Sequence, residues 1–249
     1  MSIAQVSGSG HARGRAAGAL RLDRPQGRMS GAEPAHDIRH LQWTETRTRR
    51  VVSTSVTTLR RGRLDVEVPP GLALVSYVLR HSASGMDARS SCGRACRLGP
   101  GGLLVCNGPG MVVQRGARHR SAACEAIDLL LPGVRSHGVF AHMDDCYAAY
   151  INSRQACIRL VLGEWHGHRA MLAPIDDFWM LDVDIAPGAE IRIPTGGCGA
   201  VVLPTSGSLR VDGREIEGTA PLVGAGDAGG VWLASATGAS LLLLPQGFL

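Results

Sequence analysis

RLVLGEWHGHRAMLAPIDDFWMLDVDIAPGAEIRIP, residues Arg159–Pro194, is the stretch that decides the fold. A short apolar run, Leu160–Leu162, precedes a Gly163-Glu164 turn and a bridging loop, and strands are predicted at Phe178–Asp184 and Glu190–Pro194. Ala186-Pro187-Gly188 joins that pair tightly, because Pro pre-sets φ and Gly supplies φ > 0. Short strands divided by turn residues, with no helical period, point to a β-domain.

The same rhythm extends in both directions. Upstream, Val51–Leu59 alternates Val, Thr and Ser as a half-exposed strand does, and Leu72–Leu79 reads as a buried one. Leu103–Cys106, Met111–Gln114 and Ala126–Leu131 follow, the first two divided by the turn Asn107-Gly108-Pro109-Gly110. Pro132–Gln155 is irregular; it is expected to connect two barrels, with one helical turn at Asp145–Tyr150. Downstream, strands are predicted at Ile158–Leu162, Ala200–Leu203, Ser208–Val211, Gly230–Ala234 and Ser240–Leu244, with a hairpin at Asp212-Gly213. No helix of three or more turns is predicted. With 33 Gly and 13 Pro in 249 residues, and 45% hydrophobic residues to build a core, the chain is expected to be all-β.

Composition excludes several chemistries. The sequence contains no lysine, so a Walker A lysine, a Schiff-base lysine and a lysine general base are all ruled out. Residues 1–28 carry Arg13, Arg15, Arg21, Arg24 and Arg28 against Asp23, a net of +4, which leaves +1 of the total +5 for the rest. The basic balance thus belongs to a leader and does not imply a nucleic-acid partner. Seven cysteines in no framework spacing suggest reduced thiols and a cytoplasmic protein. No apolar run reaches the roughly 18 residues of a membrane span. Residues 1–40, rich in Gly, Ala, Arg and Ser, are expected to be a disordered basic leader, with Met29 as an alternative start; its Arg-rich, acid-poor composition also suits a transit peptide.

At Gly163-Glu164-Trp165-His166-Gly167-His168-Arg169, Leu181-Asp182-Val183 and Pro187-Gly188-Ala189 the chain resembles the pirin family. Gly207–Gly213 and Leu241–Pro245 are similar to the end of that family's second barrel, and Val75–Leu79 with the Gly-rich Leu98–Val113 to its first. The resemblance implies a bicupin: two tandem jelly-roll-like cupin β-barrels, here an N-terminal barrel with linker over 41–157 and a C-terminal barrel over 158–249. It also implies an iron-type metal in the first barrel, held by three His and one Glu, a set that leaves coordination positions open for substrate and O₂. Read back from Tyr77, a His-Pro-His motif would fall on Glu67 and Pro69; a His-x-Glu pair would fall on Val113 and Arg115. No His lies between His40 and His81. Pro and Val cannot ligate, and a guanidinium repels a cation. Glu67, Pro69, Val113 and Arg115 are therefore expected to line a first-barrel cavity that has lost its metal, with Glu67 and Arg115 as a candidate ion pair.

Other constellations are weaker. His166-x-His168, Cys92-x₃-Cys96 and the pair His81 and His119 each offer part of a metal site, with an exposed loop or barrel rim as the plainer reading. Gly224-x-Gly226-x-x-Gly229 matches a dinucleotide fingerprint in letters but leads into a strand. The adjacent pairs Asp144-Asp145 and Asp176-Asp177 point apart on an extended chain, so paired acid–base work is not expected. The expectation is a pirin-like bicupin with no metal or other cofactor, binding a small apolar or aromatic ligand or a protein partner. The alternative is a dioxygenase of the quercetin 2,3-dioxygenase type with a relocated metal, or a metal-free cavity enzyme.

Overall fold

The computed structural model describes residues 36–41, 53–60, 62–119, 121–132, 139–145, 148–172, 178–197, 199–216, 218, 222–227 and 229–246. The first unit holds β1 (His36–Leu41), β2 (Ser53–Leu59), β3 (Leu64–Val68), β4 (Leu72–Val78) and β5 (Met86–Ser90). It continues with β6 (Ala95–Leu98), β7 (Leu103–Asn107), β8 (Met111–Ala117), β9 (Cys124–Pro132) and β10 (Val139–Met143). These form a six-stranded sheet, β1-β2-β9-β4-β7-β10, and a four-stranded sheet, β3-β8-β5-β6.

The second unit holds β11 (Ala149–Asn152), β12 (Ala156–Trp165), β13 (His168–Arg169), β14 (Trp179–Ile185), β15 (Ala189–Ile193) and β16 (Ala200–Gly207). After these come β17 (Leu209–Val211), β18 (Arg214–Ile216), β19 (Leu222–Ala225), β20 (Val231–Ser235) and β21 (Ala239–Pro245). One sheet runs β11-β12-β14-β21-β16-β19, with β13 on β12, and the other β15-β20-β17-β18.

Apolar patterning arranges the four sheets in layers. Ile127, Leu129 and Leu131 of β9 pack with Val161 and Leu162 of β12, Met180 of β14 and Leu242 and Leu244 of β21, joining the two large sheets face to face. The other face of β9, at Leu130, belongs to the first unit's interior with Val66, Val113 and Met86 of the smaller sheet. Leu181, Val183, Leu241 and Leu243 fill the second unit's interior likewise. Strands buried on both faces read as continuous apolar runs, whereas β3, on an outer sheet, alternates buried and exposed. Each fully buried Leu or Met contributes about 1.5–3 kcal/mol.

Four local expectations are corrected. Residues 36–40, placed in the leader, lie in β1, which pairs with β2; residues 1–35 lie outside the described set. β2 is mostly buried and not half-exposed, because its sheet is covered on both faces. A helical turn does begin at Asp145, whose carbonyl accepts from Ala148 N at 3.1 Å, but β11 takes over at Ala149 instead of the turn running to Tyr150, so the connecting segment supplies one strand to each unit, β10 and β11. The turn assigned to Gly163-Glu164 lies instead at His166-Gly167, where both residues have positive φ (46° and 79°). Gly163 sits inside β12 at φ 83° just past a register shift, where an added Cβ would overlap the Phe178 carbonyl. Trp165, buried beside it, donates its indole N–H to the Pro194 carbonyl at 3.0 Å and ties the two ends of the deciding stretch together.

The two glycines make a test of this geometry. Gly163→Ala is expected to cost more than about 3 kcal/mol, from the left-handed backbone plus a clash with main chain. Gly167→Ala has equal backbone strain but open space around the new methyl, so about 1–2 kcal/mol is expected. Urea unfolding of the two variants checks the difference, and equal losses would contradict the close approach at Phe178.

Candidate functional site

Among the described residues, the first unit's interior holds one charged pair. Strand β8 alternates, sending Met111, Val113 and Arg115 inward from the small sheet. Arg115 crosses to the large sheet, where β9 presents Asp128 between Ser55 of β2 and Ser76 of β4 in the pairing register. Its two terminal nitrogens grip the carboxylate as a fork, NH1 to Oδ1 at 2.5 Å and NH2 to Oδ2 at 2.9 Å. Ser76 donates to Oδ1 and Thr57 to Oδ2, each at 2.6 Å, and Arg115 NH1 also reaches the Ser76 hydroxyl at 2.9 Å. The side chains are 1% and 8% exposed. Charges so buried persist only when paired and fully hydrogen-bonded. Within this cluster, Arg115 Nε has no partner among the described residues.

Of the four positions singled out in the sequence, Val113 and Arg115 face this interior. Glu67 does not: β3 buries Leu64, Val66 and Val68 and turns Asp65 and Glu67 to solvent. Across the ladder Arg115 stands opposite Leu64, and Glu67 opposite Val112. A Glu67–Arg115 pair is therefore absent, and Asp128 takes the acid's role. Pro69 is half-buried just past β3, its carbonyl accepting from Leu72 N at 3.1 Å. Asp128 was missed because it sits in the apolar run Ala126–Leu131; a lone carboxylate inside a doubly buried strand was the available signal.

These residues do not fit the metal set that the resemblance implies. Both oxygens of the interior carboxylate are engaged, and the neighbouring side chain is a permanent cation. Among the described residues, no group of three or more His, Cys, Asp or Glu side chains is placed to share an ion. His81 Nε2 lies 3.2 Å from Glu125 Oε2 at the surface, while His119 is held through its backbone N–H, which donates to the Ser84 hydroxyl at 3.0 Å. His166 and His168 are exposed on the β12–β13 hairpin. Cys92 is exposed and Cys96 buried, so these two do not form a half-site. Burial pushes the Cys96 and Cys124 thiols up to about 12 and about 11, and Cys106 upward too; buried thiols of this kind stay protonated and inert.

Sheet β15-β20-β17-β18 carries a surface concavity of about 490 Å³, lined by Glu190, Asp212, Gly213, Gly226, Asp227 and Trp232. The Arg192 guanidinium stands 5.5 Å over the exposed Trp232 ring and pairs with Asp227 at 2.9 Å. This places an aromatic surface and carboxylates on the outside of the second unit.

The ion pair yields a double-mutant prediction. Arg115→Met alone strands a buried carboxylate and is expected to cost about 3–5 kcal/mol. The double variant Arg115→Met, Asp128→Leu is expected to recover most of that loss in urea unfolding. Additive losses would mean the two side chains do not act as a pair.

No protein-family sequence model matches the chain, and no curated protein sequence does. Solved structures do match its fold. A Geobacillus kaustophilus protein, GK1651, superposes with a TM-score of 0.70 at 16% identity, covering 90% of this chain and 95% of that one. Bacterial pirin YhhW from Escherichia coli, in complex with nickel(II), gives 0.64 at 10% identity over 86% and 93%. Quercetin 2,3-dioxygenase from Acinetobacter baumannii gives 0.64 at 14% identity over 80% and 75%. The chain has the tandem-cupin fold these structures share.

Proposed function

We propose that this chain is a pirin-like bicupin whose first barrel has exchanged a metal centre for the Arg115–Asp128 ion pair, and that it works as a binding or regulatory protein. The observation that carries this reading is the guanidinium fork closing on Asp128 in the barrel interior. A cation brought there would meet a fixed positive charge and a carboxylate with both oxygens already bonded. The space around the pair is occupied by Val66, Met86, Met111 and Val113, so recognition falls to the outside. The concavity beside Trp232 suits a small aromatic ligand or a side chain of a protein partner, since an exposed indole supplies apolar area with a polar tip. No nucleic acid is needed as partner. Among the described residues no helix is long and apolar enough to cross a membrane, and the free thiols suit a reducing compartment such as the cytoplasm.

The likeness in fold to quercetin 2,3-dioxygenase makes oxygen uptake the discriminating assay. Protein pre-incubated with iron(II), nickel(II) or copper(II) and given a flavonol is expected to consume oxygen no faster than the metal salt alone. Uptake that tracks protein concentration and is abolished by a chelator would overturn the reading in favour of a metal-dependent oxygenase.

A further inference from the structure

A second buried polar cluster lies where the two units meet. Tyr77, 1% exposed on β4 of the first unit, donates its hydroxyl to Asp182 Oδ2 on β14 of the second at 2.5 Å. The same oxygen accepts from Arg159 NH1 on β12 at 3.0 Å. Arg159 NH2 donates to Asp184 Oδ2, and Ser240 of β21 donates to Asp184 Oδ1 at 2.6 Å. The Arg159 guanidinium also lies 5.7 Å over the ring of Tyr150, its cross-strand neighbour on β11. Tyr150 donates to the Asp145 carbonyl at 2.9 Å, and the Asp145 carboxylate accepts from Arg80 at 2.5 Å. One chain of polar contacts thus runs from the first barrel, through β14 and β12, into the strand that follows the connection.

Burial divides this chain into two parts. Arg159 and Asp182 are each 3% exposed, whereas Arg80, Asp145 and Asp184 are about a third exposed at the side chain. Arg159 Nε has no partner among the described residues, so the guanidinium depends on its two carboxylates. It cannot shed its charge if one of them is neutralised. The groups that act on Asp182 are Tyr77 and Arg80 from the first barrel, Cys157 and Arg159 on β12, and Asp184 on its own strand; Asp145 and Tyr150 lie further along, against Arg80 and Arg159. Strand β11 is otherwise held by its four-residue pairing with β12 and by Ala149 against the second unit's interior, while Tyr150 and Ile151 remain 41% and 38% exposed.

We propose that this chain is an acid-responsive joint: a proton taken up by Asp182 leaves Arg159 with Asp184 as its single carboxylate, draws the guanidinium outward from Tyr150, and loosens β11. At the same time the Tyr77–Asp182 bond changes from charge-assisted to neutral, which weakens it roughly two-fold.

The titration order permits this. Burial raises the Asp182 carboxyl above the ordinary range, against the opposing pull of Tyr77 and Arg159. Asp184, despite partial burial, is held below that range by Ser240 and Arg159. As pH falls, Asp182 protonates first while Asp184 stays ionised. The signs keep the effect local. A raised folded pKa at Asp182 gives stability that is fully present below its unfolded value and lost as pH rises through the folded one, so its protonation does not unfold the protein. Asp184 stability is lost only further down, as pH drops through its depressed value.

Hydrogen–deuterium exchange of the full-length chain at about pH 7.5 and about pH 4, corrected for the intrinsic rate, tests the joint. Amides of β11 are expected to lose protection several-fold at the lower pH while β14 and β21 keep theirs. Asp182→Asn is expected to show the acid pattern already at neutral pH and to change no further. Tyr77→Phe, which removes a donor that favours the ionised carboxylate, is expected to move the transition to higher pH. Protection of β11 that does not change with pH in the unaltered protein would overturn the proposal, as would Asp182→Asn exchanging like the unaltered protein at both values. If Asp182→Asn does not fold, an unmoved transition in Tyr77→Phe overturns it equally.

Discussion

An arginine keeps its charge at every pH a folded protein meets, so a guanidinium 1% exposed inside a β-barrel dictates its surroundings. It needs an acid across the interior, and β9 supplies Asp128. The acid needs its remaining lone pairs satisfied, and β2 and β4 supply Thr57 and Ser76. The four side chains come from strands of both sheets of the first unit, so the pair staples the two sheets to each other. Such a pair adds little net stability over an apolar core of the same volume, but breaking it is costly. Its chief consequence is chemical: the interior presents a permanent positive charge beside an acid whose two oxygens are already bonded.

The same device recurs at the joint between the barrels with a different outcome. Arg159 and Asp182 are as deeply buried as Arg115 and Asp128. Asp182, however, shares its proton-accepting oxygen between a phenol from one barrel and a guanidinium from the other, and the chain beyond it opens to solvent through Asp184, Arg80 and Asp145. The first network is closed off from solvent; the second is graded from interior to surface. Around both, the apolar faces of the two large sheets supply most of the adhesion.

Strands of the large sheets were legible in the sequence because burial on two faces leaves runs such as Leu72–Val78 and Leu241–Leu244. The outer-sheet strands β5 and β6 went unpredicted: MDARS and ACRL send every second residue to solvent and are too short for a clear period. The connecting segment looked irregular because β10 and β11 each lie at the edge of a large sheet and expose part of their surface. Within the candidate site, Arg115 and its inward neighbour Val113 followed from the resemblance. Glu67 failed on period alone, since the strict alternation of LDVEV places it on the outer face. Asp182 stood in the quoted Leu-Asp-Val motif, yet nothing local in that motif says that its partner is Tyr77, 105 positions away. Partners at such separations are set by the packing of one sheet on another.

Metal content tests the central claim most directly. Tag-free protein, expressed with iron, nickel, copper and zinc all available and then dialysed, should carry far less than one equivalent of any of them by elemental analysis. An equivalent of bound metal that persists in the unaltered protein and is lost when first-barrel residues are changed would contradict the account. It would mean that Arg115 and Asp128 separate in solution to admit a cation.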